Sequence, residues 1–268
     1  MSTTSLPRQE CAITILGGPT AVIDLGGLRI VSDPTFDEPG DYGYLVKTTG
    51  PAADEDAVGP VDLVLVSHDA HADNLDDRGR EFAEAAPVLL TGPKSASRLG
   101  SSAIGLRPWA AHALPRPDGC GDLTVTAVPA VHGPEDGERD ADGNINCEVT
   151  GFVITGQGLP TVYVSGDNAS IRTVAEISRE VPGIDVAVLH AGAARVPAKF
   201  DGRPLSLDSR STAAAAAVLG ADLVVPAHYD GWAHFSEGRS DIEHAFYEAG
   251  LSPRLAVADH GTWVPLPR

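Results

Sequence analysis

The chain is short of cysteine, of positive charge and of long apolar runs, and each shortage excludes something. Its three cysteines, Cys11, Cys120 and Cys147, are odd in number, far apart and without a CxxC pair. Neither a disulfide framework nor a thiolate zinc site is suggested, and all three read as buried thiols. Only 19 basic residues stand against 37 acidic ones, for a formal charge of −18. Such a surface repels phosphate backbones and anionic membranes, so nucleic acid is not expected as a partner. No stretch approaches the roughly 18 apolar residues of a membrane span. The opening "MSTTSLPRQECAITIL" lacks a basic start, an apolar run and a small-residue cleavage site, so a cytoplasmic location is expected. No Pro/Ser-rich linker divides the 268 residues, which favours one domain over 1–268. "SGDNASIRT" lacks the spacing of a phosphate loop, and its aspartate would repel an anion.

What the chain does have is a repeated design: a short run rich in β-branched residues that stops on a side chain able to bind a metal. "GLRIVSDP" stops at Asp33, "VDLVLVSHDAHAD" at His68 to Asp73 and "LTVTAVPAVH" at His132. "TVYVSGD" stops at Asp167, "IDVAVLH" at His190 and "ADLVVPAH" at His228. A sheet fixes each exit point, so side chains just past the last paired residue can converge on one metal. The first third reads as hairpins punctuated by Gly-Gly pairs. Helices are expected from Asn168 or Ser170 to about Pro182, from Asp208 to Gly220, and from a cap at Ser240 or Asp241 to Gly250. Early strands followed by strand–helix alternation suggest sheets covered by helices.

The order of these strand ends resembles the metallo-β-lactamase fold superfamily, especially the branch similar to ascorbate-phosphate lactonases and other metal-dependent hydrolases. "LGGPTAVIDLGGLRIVSDPTF" resembles its opening hairpins, "VSHDAHADNLD" its first metal loop and "VPAVHG" its next histidine, while "SGD" and "VPAHYDGWAHF" resemble its bridging aspartate and last histidine. The resemblance covers nearly the whole chain and implies a four-layer αββα sandwich. It makes His71 and His132 ligands of a first metal, Asp73 and His228 ligands of a second, and Asp167 the bridge. His68 is a further ligand on this reading. Asp33 would orient ligands from behind, and Asn74 and His190 are expected beside them.

The superfamily loop reads HxHxDH, whereas this chain has His68-Asp69-Ala70-His71-Ala72-Asp73-Asn74. The first two histidines stand one residue too far apart, and Asn74 replaces the last. Either His68 or Asp69 completes the first position, and the second is left richer in oxygen and weaker. His112, His234 and His244 read as interior or surface residues rather than ligands. Residues 133–150 form a polar loop that is either a lid over the site or a solvated insertion, and Trp232 and Phe235 could wall the pocket.

The expected activity is hydrolysis of a small-molecule ester, lactone, amide or phosphoester by metal-activated water. Asp167 would hold the bridging hydroxide, and Asp73 or Asp69 would manage protons. One or two zinc ions are the first expectation, and manganese or iron is compatible with the donor set. A homo-oligomer is compatible as well. The competing readings are an iron-dependent oxidoreductase on the same fold and a binding protein with a degenerate metal site.

Overall fold

The computed structural model describes residues 5–267. Its first half contains β1 (Cys11–Gly17), β2 (Thr20–Leu25), β3 (Leu28–Ser32), the small hairpin β4 (Gly40–Tyr42) and β5 (Leu45–Lys47), and α1 (Glu55–Val58). There follow β6 (Leu63–Val66), α2 (Asp77–Ala85), β7 (Leu89–Thr91), α3 (Pro93–Leu99) and β8 (Ala103–Gly105). The second half contains β9 (Ala111–Pro115), β10 (Asp122–Pro129), β11 (Thr150–Gly156), β12 (Val162–Val164), α4 (Ile171–Glu180), β13 (Val186–His190), α5 (Ser209–Leu219), β14 (Leu223–Ala227), α6 (Arg239–Glu248) and β15 (Val264–Pro265). Two main sheets result, ordered β15-β1-β2-β3-β6-β7-β8 and β14-β13-β12-β11-β10-β9.

The central strands are apolar on both faces because both faces are covered. Ile23, Ile30, Leu63 and Leu65 of the first sheet meet Val125, Phe152, Val164 and Val188 of the second in one buried cluster. The alternate residues turn outward. Val22, Val31, Val64 and Val66 pack under α1, α2 and α3, and Tyr163, Ala187 and Leu189 pack under α4, α5 and α6. These contacts build the αββα sandwich. The alanines of α5 let it lie close on its sheet, where Ala213, Ala215 and Ala216 are buried.

Local signals set the ends. The β2–β3 turn is Gly26-Gly27, both at positive φ, as a tight hairpin requires. Ser170 caps α4 through the Thr173 amide, Asp208 caps α5 through the Ser211 amide, and Gly220 ends α5 in the left-handed region. Only α6 departs from expectation: it starts at Arg239 with Gly238 as its cap, and Asp241 sits at the third position, accepting from the Gly238 amide. Asp241 therefore helps cap the helix from inside its first turn.

The pairing places the strand ends together. β3, β6 and β7 run parallel, with Ser32 opposite Leu65. β12, β13 and β14 run parallel, with Val164 opposite Val188 and His190 opposite Ala227. Their carboxyl ends share one edge of the sandwich, and the metal-competent residues lie there. No helix among the described residues is long and apolar enough to cross a membrane.

Candidate metal centre

Two adjoining groups of donors occupy that edge. In the first, His68 Nε2 lies 3.0 Å from His71 Nδ1, which lies 3.4 Å from His132 Nε2. The other nitrogens are held from behind: His68 Nδ1 is 3.1 Å from Ser67 Oγ, and His132 Nδ1 donates to the Leu205 carbonyl at 2.8 Å. The one-residue stretch in the loop does not separate the histidines, because residues 69–73 coil through turns before α2 and bring both imidazoles back to one point.

In the second group, Asp73 Oδ2 lies 3.2 Å from His228 Nε2 and 2.9 Å from His234 Nε2. Asp167 Oδ1 is 3.3 Å from His228 Nε2 and accepts from His190 Nδ1 at 2.7 Å. The other Asp167 oxygen is 3.7 Å from His132 Nδ1, so this carboxylate stands between the groups. His190 stacks flat on His228, with ring centroids 4.8 Å apart. Asn74 turns its amide nitrogen toward Asp167 Oδ1 at 3.3 Å and Ser67 Oγ at 3.4 Å, steadying the carboxylate. Asp33 accepts from the Ser67 amide at 2.6 Å, which ties the end of β3 to the end of β6.

The backbone is strained where it serves the site. Asp33 and His228 both have positive φ, a conformation costing on the order of 1–3 kcal/mol for a residue with a Cβ. Gly166 also has positive φ, and a Cβ there would lie 2.7 Å from that of Ser67. The small residue before Asp167 thus lets two strand ends approach each other.

Protonation favours cations. Burial holds His68 well below the usual imidazole range, lowers His71 to about 4 with help from His132, and lowers His132 and His190. Burial opposes ionisation of Asp73 and Asp167, but their histidine partners outweigh it and keep both well below the usual carboxylate range. His228 is raised despite burial, because Asp167 and Asp73 face it. Neutral His68, His71 and His132 beside ionised Asp73 and Asp167 are in the state in which such groups bind metal, while His228 gives up its proton to do so. Buried Asp73 Oδ1, Asp167 Oδ2, His228 Nδ1, His234 Nδ1 and His190 Nε2 have no hydrogen-bond partner. Since buried carboxylate oxygens are normally satisfied, the donor set fits a cation. Burial also pushes Asp33 up to about 7.

Of the residues singled out in the sequence, His68, His71, Asp73, His132, Asp167 and His228 come together, with Asp33, Asn74 and His190 around them. Asp69 does not join them. Its carboxylate pairs with Arg98, at 3.0 Å through Nε, and with Arg80 at 3.3 Å, which corrects its candidacy as ligand or proton carrier. His234, read as an ordinary histidine, stands among the donors instead. Its only signal was its place six residues after His228 on the same loop. It supplies an imidazole beside Asp73 where Asn74 lacks one. His112 lies on β9 and His244 on α6, away from this edge.

A small cleft of about 220 Å³ opens over the donors, walled by Tyr44, Leu45, Val196, Lys199 and Leu205. Lys199 Nζ is 3.3 Å from His71 Nε2, donates to Asn146 Oδ1 at 2.8 Å and reaches the Tyr44 hydroxyl at 3.4 Å. Burial lowers Lys199 and pushes Tyr44 up to about 12. Phe235 packs on His228 and His234, with centroids 4.1 and 4.5 Å away. Trp232 is buried against Tyr42 and Lys47 and lies outside the cleft wall. The cysteines are corrected too: Cys120 is exposed, and Cys11 and Cys147 are half-buried.

Residues 28–229 match the β-lactamase superfamily domain family, and the chain belongs to that superfamily, with its metallo-β-lactamase fold. A metal-dependent hydrolase from Methanosphaerula palustris is 32% identical over 220 residues, covering 80% of this chain and 82% of its own length. Among solved structures, a possible metal-dependent hydrolase from Veillonella parvula superposes with a TM-score of 0.81 at 15% identity, over 96% of this chain and 100% of its own. An isothiocyanate hydrolase from Delia radicum gut bacteria superposes with a TM-score of 0.78 at 19% identity, over 95% and 98%. At those identities the two structures speak to the fold.

Proposed function

We propose that this protein is a metal-dependent hydrolase acting on a small ester, lactone, amide or phosphoester. One observation carries the reading: two groups of imidazoles and ionised, partly orphaned carboxylates adjoin at the strand ends under a small cleft. His68, His71 and His132 would hold one ion, Asp73, His228 and His234 a second, and Asp167 would touch both. Bound there, the metal supplies a water acidified toward neutrality and a charge that polarises the electrophile. Zinc suits both donor sets best, with iron or manganese as the alternatives.

The protein's own groups have separate tasks. Asp73 and Asp167 stay ionised, and their orphaned Oδ1 and Oδ2 are the acceptors available to a cation and to the hydrogen bonds of its water. Leu45, Val196 and Leu205 keep the cleft apolar, which strengthens every charge interaction inside it. Lys199 and the Tyr44 hydroxyl, at the wall beside His71, steady the oxygen that gains charge. The cleft is narrow, which favours a small molecule as substrate. Asp69 takes no part.

The test is to purify the chain without added metal, measure bound ions, and assay a panel of small lactones, esters, amides and phosphoesters. Stoichiometric metal, with hydrolysis lost in chelator and restored by zinc, is the expected result. A fully metal-loaded chain inert on the whole panel would remove the hydrolase reading.

A further inference from the structure

The loop from 133 to 150 carries one residue into the first donor group that neither the superfamily resemblance nor the comparisons assign. Cys147 Sγ and the donor nitrogens of His68, His71 and His132 all lie within 4.8 Å of one another. A tetrahedral zinc site with Zn–N near 2.0–2.1 Å and Zn–S near 2.3 Å has edges of about 3.3–3.6 Å, so these four donors stand roughly one ångström from closure. The loop fixes the cysteine there from both sides. Before it, Asn146 has positive φ and accepts from Lys199, and Ile145 is buried, its carbonyl accepting the Cys147 amide at 2.8 Å. After it, the Glu148 carboxylate accepts the Lys94 amide in the first turn of α3 at 2.7 Å.

We infer that Cys147 is a ligand of the first metal position beside its three histidines, with Asp167 reaching the same ion from the second position. The inference rests on the metal-dependent reading above. When the sulfur binds, the thiol releases its proton to solvent and the thiolate donates its electron pair to the ion. Protein ligands then fill this position, so the water-bearing position belongs to the second ion, held by Asp73, His228 and His234. A thiolate also favours zinc or iron over manganese at the first position.

Cobalt(II) tests this without reference to turnover, because a cobalt–thiolate bond gives an intense near-ultraviolet charge-transfer band that nitrogen and oxygen ligands do not. The apo chain is titrated with cobalt, with bound metal counted in parallel, for the native protein, Cys147→Ser and a Cys11→Ser/Cys120→Ser double variant. The band should grow with the first equivalent, persist in the double variant and vanish in Cys147→Ser, while cobalt affinity at that position falls by more than the roughly tenfold cost of losing an outer partner. Zinc should protect Cys147, but not exposed Cys120, from alkylation mapped by mass spectrometry. Bound cobalt without the band, or a band retained in Cys147→Ser, would overturn the inference while leaving the hydrolase reading intact. No bound cobalt in a folded native chain would overturn both.

Discussion

His234 is the residue on which the account differs most from a reading by motif. With Asn74 where the superfamily has histidine, the second metal position should be poor in nitrogen, yet His234 reaches Asp73 from 161 positions along the chain. His234→Ala should therefore remove the second zinc-binding event in calorimetric titration, and His244→Ala, on the exposed side of α6, should change nothing. Asn74→His should not tighten zinc, since that side chain is committed to Asp167 and Ser67. A titration unchanged by His234→Ala would remove His234 from the site. At the centre, His132→Ala or Asp167→Ala should lose bound metal and turnover together; near-native turnover in either variant would defeat the assignment.

The same residues set a pH dependence for the metal-free chain. His68, His71, His132 and His190 are held below the imidazole value they have when unfolded. Between about pH 4, where His71 titrates, and pH 6.5, the unfolded chain binds more protons at these positions, so stability rises with pH. Asp33, raised from 3.8 to about 7, works against this in the same window by binding a proton only when folded. Raised His228 acts above 6.5 in that same opposing sense. Four depressed imidazoles against one raised carboxyl leave the sign positive, so the apo protein should melt at a lower temperature at pH 5 than at pH 6.5. A higher melting temperature at pH 5 would contradict the assigned protonation states.

At the scale of elements, the site is a property of where strands stop. Gly166 lets the end of β12 pass the end of β6, so Gly166→Ala should displace Asp167 and lower metal content although no ligand has changed. A variant with full metal occupancy would show that the close approach is dispensable. Trp232 belongs to packing beneath the β4–β5 hairpin, beside Tyr42 and Lys47. Trp232→Ala should cost roughly 3–5 kcal/mol of stability and leave metal content unchanged, as denaturant unfolding and metal analysis would show. These elements were legible in advance because their signals are local: short β-branched runs marked the strands, Gly-Gly the hairpins, and Ser170 and Asp208 the helix starts. The start of α6 was misjudged because Asp241 caps from within the helix, and glycine at 238 offers no side-chain signal.

For the whole molecule, the four layers follow from burial of both faces of the central strands, visible as the near-continuous apolar runs "VDLVLV" and "IDVAVL". The candidate donor set was only partly legible, for a physical reason. A residue at a strand end inherits its position from the sheet, so His132, Asp167 and His228 could be found from the sequence. His234 and Cys147 ride on loops whose paths are set by distant contacts, and Asp69 was drawn away by Arg98 and Arg80, which no local spacing reveals. The charge of −18 bears on solubility and partners, and the site is built independently of it.

The central claim is that two metal positions adjoin at this edge with Asp167 between them. Anomalous diffraction from crystals of the metal-loaded protein, collected on either side of the zinc, iron and manganese edges, tests it most directly. The account predicts two peaks, one among His68, His71 and His132 and one among Asp73, His228 and His234, with Asp167 in contact with both. Stoichiometric metal located elsewhere, or a single ion that leaves Asp73 and His234 hydrogen-bonded to each other, would contradict it.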